Sequence, residues 1–169
     1  ISMSGDLSRQ HPTYLRALQK KGYHTVGIGK FHFLQTWKWG MDARGKGVPL
    51  ARIKDQIKEY GFDDVWETSG KQLSRQNHCD YCNYLEEKGK LDLYRDFVDT
   101  AGTNHNLVKD STNDEHDGDP SPLADEEHVD VVTADVIIDR IKNRPANKPL
   151  FLFGSFCSPH KPMDPPQSY

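Results

Sequence analysis

Cysteine is scarce in these 169 residues: only Cys79, Cys82 and Cys157 are present, an odd number that leaves at least one thiol unpaired and excludes a disulfide-built scaffold. Charge of one sign is also lacking. With 22 basic and 25 acidic residues the formal net charge is −3, which gives no reason to expect a nucleic-acid partner. No apolar run approaches the roughly 20 residues that cross a bilayer. The longest, Pro149 to Cys157, has the length of a buried strand. Leu, Ile, Val and Phe together make up only about a fifth of the chain, near the composition where disorder begins. Disorder also requires a high net charge, so a folded but polar chain with long loops is expected. The length is that of one ordinary domain or a piece of a larger one.

The first residues show no charged-then-apolar leader pattern. The chain starts on Ile1 and stops at Tyr169, and an internal fragment of a larger domain spanning 1–169 is expected.

Acidic residues concentrate in the second half. Asp110 to Glu127 alone holds eight carboxylates among Ser, Thr, Asn, Gly and Pro, and the stretch 104–128 reads as a solvated acidic loop. A calcium loop fits poorly. Asn113, Glu115, Asp117 and Gly118 have part of the spacing, but the position of the bidentate glutamate is Ala124. His78-Cys79-Asp80-Tyr81-Cys82 contains a C-x-x-C with no second pair to complete zinc coordination, so these read as packing thiols.

Pro12 suits a first helical turn, and a helix is predicted through Thr13–Lys21 with Gly22 closing it. Tyr23 to Gly29 is short, β-branched at Thr25, Val26 and Ile28, and reads as a buried strand. Helices are predicted at Leu50–Tyr60, Asp80–Lys88, Leu91–Val98 and Val129–Asn143, the last on a stripe of Val129, Val132, Val136, Ile137 and Ile141. Leu150–Cys157 then reads as a strand buried on both faces, as in parallel sheets. Helix–strand, a long middle, and helix–strand again predict an α/β fold with a mostly parallel central sheet flanked by helices.

In such sheets ligands bind beyond the carboxyl ends of the strands. One strand runs out into Lys30-Phe31-His32, the other into Ser158-Pro159-His160-Lys161. If residues 30–32 stay extended, Lys30 and His32 leave one face while Phe31 points the other way. A lysine supplies a compact positive charge and a histidine can move a proton near neutral pH. Two such ends form a cationic cup suited to a tetrahedral oxyanion, sulfate or phosphate.

Gly22-Tyr23-His24-Thr25-Val26-Gly27-Ile28-Gly29-Lys30-Phe31-His32 resembles the Gly-Tyr-x-Thr-x-x-x-Gly-Lys-x-His block of sulfatases, members of the alkaline-phosphatase-like superfamily. The helix before it, Gly61-Phe62-Asp63, Lys148-Pro149-Leu150-Phe151-Leu152 and the Ser158–Pro162 turn are similar to further blocks of that family, in the same order. The resemblance implies a sulfuric ester hydrolase acting on a sulfated glycan or an aryl or other small-molecule sulfate. It implies that Lys30 holds the sulfate oxygens, that His32 bonds the nucleophile's hydroxyl, and that His160 contacts the ester and assists the leaving group. It further implies a formylglycine nucleophile made within Cys-x-Pro-x-Arg, and a calcium ion held by aspartate pairs. Neither motif occurs here, since none of the three cysteines is followed by x-Pro-x-Arg, so no metal ligand is expected within the chain and the isolated piece is expected to be inactive. A related phosphodiesterase or phosphonate hydrolase, or a non-catalytic binder of sulfated glycans, are the alternatives. Trp37, Trp39, Lys38 and Arg44 could contact a sugar, though packing and surface roles suit them better. Secretion, or a periplasmic or lysosomal location, is what the family resemblance implies.

Overall fold

The computed structural model describes residues 7–31, 33–34, 50, 53–75, 77–102 and 118–169. His32, Trp37, Lys38, Trp39, Arg44 and the first part of the acidic stretch lie outside the described residues.

Among the described residues three parallel strands form the sheet, β1 (His24–Lys30), β2 (Asp64–Thr68) and β3 (Leu150–Ser155), in the order β2-β1-β3. Five α-helices among the described residues accompany them: α1 (Tyr14–Lys20), α2 (Lys54–Lys58), α3 (Asp80–Glu87), α4 (Leu91–Gly102) and α5 (Val129–Lys142). The α/β architecture expected from the sequence is present. The long middle, however, contains a strand that pattern reading missed. Asp64-Val-Trp-Glu-Thr68 is only five residues long and carries two acids, yet it pairs with β1 from Val26↔Asp64 to Lys30↔Thr68.

Local signals set the ends of the elements. Thr13 caps α1, its hydroxyl accepting from the Arg16 N–H at 3.2 Å and donating to the Tyr60 carbonyl at 2.6 Å. Pro12 therefore precedes the helix and is not part of its first turn. Asp80, in the first turn of α3, accepts from the Glu67 N–H at 2.7 Å and from Lys54 Nζ at 2.6 Å, which ties that helix to β2 and α2. α2 covers only part of the helix expected over Leu50–Tyr60, and α4 runs past Val98 to Gly102.

β1 is the most enclosed strand, buried at five successive residues between its two neighbours. β3 was expected to be buried on both faces but is half-exposed along its length. Like β2 it is an edge of the three described strands, paired among them on one side only. The core runs from Phe31, Phe62 and Tyr60 through Ile53 and Ile57 to Tyr81, Leu85, Tyr94 and Leu123. Phe31 packs within 5.8 Å of Phe33, Phe62 and Phe153, measured between ring centres, so it turns inward as expected.

The acidic stretch is not solvated to its end. Ser121, Leu123, Glu127 and His128 are buried. Leu123 supplies an apolar anchor, and the backbone is held by Ser121 N–H to Pro165 O at 2.8 Å and by Tyr81 OH to Glu127 O at 2.7 Å. Composition alone cannot separate this packed segment from Gly118 to Pro120 just before it, which are exposed. The apolar stripe of α5 behaves in the opposite way, since Val129 and Val132 are buried but Ile141 is exposed.

Candidate functional site

Because all three strands are parallel, their carboxyl ends lie side by side along one edge of the sheet. β1 delivers Lys30, β2 delivers Ser69-Gly70-Lys71, and β3 delivers Cys157 to Lys161. Close approach at this edge depends on glycine. Gly29 has φ +106°, and a Cβ there would stand 1.8 Å from the Ser155 carbonyl oxygen, so only glycine lets β1 and β3 meet.

Lys30 is half-buried and lies across Gly70, which has φ +85°. A Cβ on Gly70 would come within 2.9 Å of Lys30 Cε and 3.1 Å of its Nζ. The bare backbone after β2 is thus the floor on which the Lys30 side chain rests. Cys157 closes the space between the strand ends, its Sγ 3.2 Å from Thr68 Oγ1. Burial pushes the Cys157 thiol up to about 11, with Asp130 adding to the rise and the Thr68 hydrogen bond and Lys30 charge working against it. It is therefore a protonated packing group, and all three cysteines are free and buried.

Asp130, in the first turn of α5, holds the segment after β3. Its carboxylate accepts from the Cys157 N–H at 2.8 Å and the Ser158 N–H at 3.2 Å. His160 is exposed, and its Nδ1 lies 2.8 Å from the Lys161 carbonyl oxygen. A carbonyl can only accept, so Nδ1 carries the proton and Nε2 is the nitrogen left to serve a ligand. The peptide bonds Ser158–Pro159 and Lys161–Pro162 on either side are cis.

Lys71 anchors the same turn from below. Its Nζ donates to Ser158 Oγ at 3.0 Å and to the Pro162 carbonyl at 3.2 Å, and pairs with Asp164 Oδ1 at 2.5 Å. Both side chains are enclosed, 2% and 1% exposed. Asp164 Oδ2 has no hydrogen-bond partner among the described residues. His128 joins in, its Nε2–H donating to the Asp164 carbonyl at 3.0 Å while Nδ1 accepts the Asp130 N–H at 3.3 Å as the cap of α5. A cavity of about 340 Å³ opens on this flank, lined by Lys71, His128, Ser158, Pro159 and Asp164 among others.

Of the three expected site residues, the structure brings the Lys30 and His160 segments to one sheet edge, and His32 lies outside the described residues. Sequence reasoning missed Gly70, Lys71, His128, Asp130 and Asp164. The one available signal was Ser69-Gly70-Lys71, which reads as a strand end only once β2 is known. No three His, Cys, Asp or Glu side chains cluster as a metal site among the described residues. The described residues therefore offer no ligand set for the calcium ion the family resemblance implies.

A parallel sheet flanked by helices, with a lysine and a histidine carried on neighbouring strand ends, defines an α/β protein with a cationic strand edge. The family model described as Sulfatase matches residues 2–169, and the chain belongs to the sulfatase family. No curated protein matches it. Among the described residues, no helix is long and apolar enough to cross a membrane.

Proposed function

We propose that this sulfatase-family chain carries the sulfate-gripping residues of a sulfuric ester hydrolase acting on a sulfated carbohydrate or an aryl or other small-molecule sulfate. The observation that supports the reading is the convergence of Lys30 and the His160 turn at the carboxyl ends of adjacent parallel strands. Lys30 offers a compact charge and three donors to the ester oxygens, and its place is fixed by packing on Gly70. The His160 ring is oriented through Nδ1, so Nε2, when the ring is protonated, can donate to an ester oxygen and give its proton to the departing one. His32 joins them on the strength of the Gly-Lys-x-His block. In this reading the formylglycine nucleophile and the calcium ligands come from protein outside these 169 residues, and no step is derived through either.

The test is turnover of a sulfate ester by the full-length protein. Lys30→Ala and His160→Ala are each expected to lower kcat/KM by about 10²–10³-fold, as losing one preorganised charge-stabilising group does. Losses below about threefold in both variants, against that expectation, would remove the assignment. A cationic cup suits phosphate as well, so matched phosphate esters belong in the same assay. Preference for them would transfer the site to a phosphodiesterase or phosphonate hydrolase, and tight binding of sulfated glycans with no turnover of either ester would leave a binding protein.

A further inference from the structure

The C-x-x-C pair is not used by this chemistry, and its geometry is specific. Cys79 is the cap of α3, its backbone extended at φ −102° and ψ 179°, and Cys82 follows in the first turn. Helical residues three apart face one another, and here the two Sγ atoms are 3.4 Å apart. That is within about 1.4 Å of a covalent S–S bond length, a gap that side-chain rotation can close.

The surroundings hold both sulfurs in place. The Cys82 thiol is aimed at the Asn77 carbonyl at 3.4 Å and the Ser74 carbonyl at 3.8 Å. Arg95 of α4 clamps the same two carbonyls, Nε to Ser74 O at 3.1 Å and Nη2 to Asn77 O at 3.3 Å. Burial opposes ionisation of Cys79, but its hydrogen bond with the Cys82 thiol and those with Ser69 and the Cys82 backbone bring its thiol below the usual range. Cys82 is pushed the other way, by its bond to Cys79 and by burial. One attacking and one resolving thiol at a helix start is the arrangement of a dithiol that exchanges with disulfides.

We propose that Cys79 and Cys82 are an oxidation site, a dithiol that converts to an intrahelical disulfide by exchange with a small-molecule disulfide such as oxidised glutathione. The Cys79 thiolate attacks one glutathione sulfur, forming a mixed disulfide and expelling one glutathione thiolate. The Cys82 thiol gives its proton to that thiolate, and its sulfur attacks Cys79 Sγ, expelling the second glutathione, which takes up a proton from water. The two protein thiols lose two electrons and the glutathione disulfide gains them. Cys79 lies against Ser69, whose neighbours Gly70 and Lys71 support Lys30 and the His160 turn, so the oxidation state acts on the loop beneath the site.

Thiol counting tests this without reference to ester hydrolysis. The protein is equilibrated in buffers of fixed reduced-to-oxidised glutathione ratio, then acid-quenched, unfolded, alkylated with N-ethylmaleimide and digested for mass spectrometry. Because burial slows attack on the folded pair, a parallel sample is refolded from urea in each buffer. In oxidising buffer the peptide holding residues 79–82 should be lighter by two hydrogens and free of maleimide, while Cys157 is alkylated; in reducing buffer all three cysteines are alkylated. Cys82→Ser should trap a single glutathione on Cys79. Full alkylation of both cysteines at every ratio in both samples, or a bond from Cys79 to Cys157, overturns the proposal.

Discussion

At the scale of single residues, the candidate site depends as much on an absent side chain as on the charged ones present. Gly70 leaves room for Lys30, and Gly70→Ala would set a methyl 2.9 Å from Lys30 Cε in a backbone conformation that L-residues avoid. The expected result is a loss of kcat/KM approaching that of Lys30→Ala, with retained secondary structure by circular dichroism. An unchanged kcat/KM would show that Lys30 finds its place without this floor. Lys30 and His160 could be read from the sequence because each follows a run of apolar residues that can only be a strand. Gly70 and Lys71 could not, because the strand before them is short and acidic. Nor does a sequence distinguish Lys71, 2% exposed and tied to Asp164, from a solvated lysine.

At the scale of elements, the family-like blocks of the sequence are joints between elements as well as carriers of chemistry. Thr25 of β1 donates through its hydroxyl to the Gly61 carbonyl at 2.8 Å, and its N–H donates to Asp63 Oδ2, also at 2.8 Å. The Gly-Tyr-x-Thr and Gly-Phe-Asp blocks therefore lock β1 to the entry of β2, which fixes the register that sets Lys30 beside Thr68. The turn after β3 is fixed by charge instead. Lys71→Met strands the Asp164 carboxylate in the interior, and such a loss of one partner costs about 3–5 kcal/mol. Urea unfolding should show that loss, and Lys71→Met with Asp164→Leu should recover most of it, since an apolar pair of similar volume carries no desolvation penalty. If the double variant is no more stable than the single one, the pair holds the turn by more than charge compensation. Helices and the two apolar strands were readable from periodicity. The packed end of the acidic stretch was not, because its burial comes from contacts with Pro165 and Tyr81, distant in sequence.

At the scale of the whole molecule, two carboxylates on opposite sides of this joint bend stability in opposite directions with pH. Burial works against ionisation of Asp63, but hydrogen bonds from Thr25 and Gln19 and the nearby His24 bring it below the ordinary aspartate value of 3.8. Its contribution is present above that value and fades as the pH falls through the lowered one. Glu67 is 2% exposed, with Oε2 lacking a hydrogen-bond partner among the described residues. Burial, then the Cys79 and Asp80 charges, raise it well above the ordinary value of 4.5, with Lys54 opposing. The folded state thus holds a proton on Glu67 that the unfolded chain has released. From the ordinary glutamate value up to the raised one, each step in pH lowers stability. The native fold should be most stable in weakly acidic solution. Glu67→Gln keeps the shape of the protonated acid and removes its titration, so it should raise Tm at pH 7 by about 2–4 °C, the shift that about 1 kcal/mol gives in a domain of this length. At pH 4, where the acid is protonated in the fold and largely so in the unfolded chain, the same substitution should leave Tm nearly unchanged. Thermal unfolding at the two pH values decides the matter: an equal shift at both would mean that the amide acts through packing, and that Glu67 does not carry its proton into the folded state.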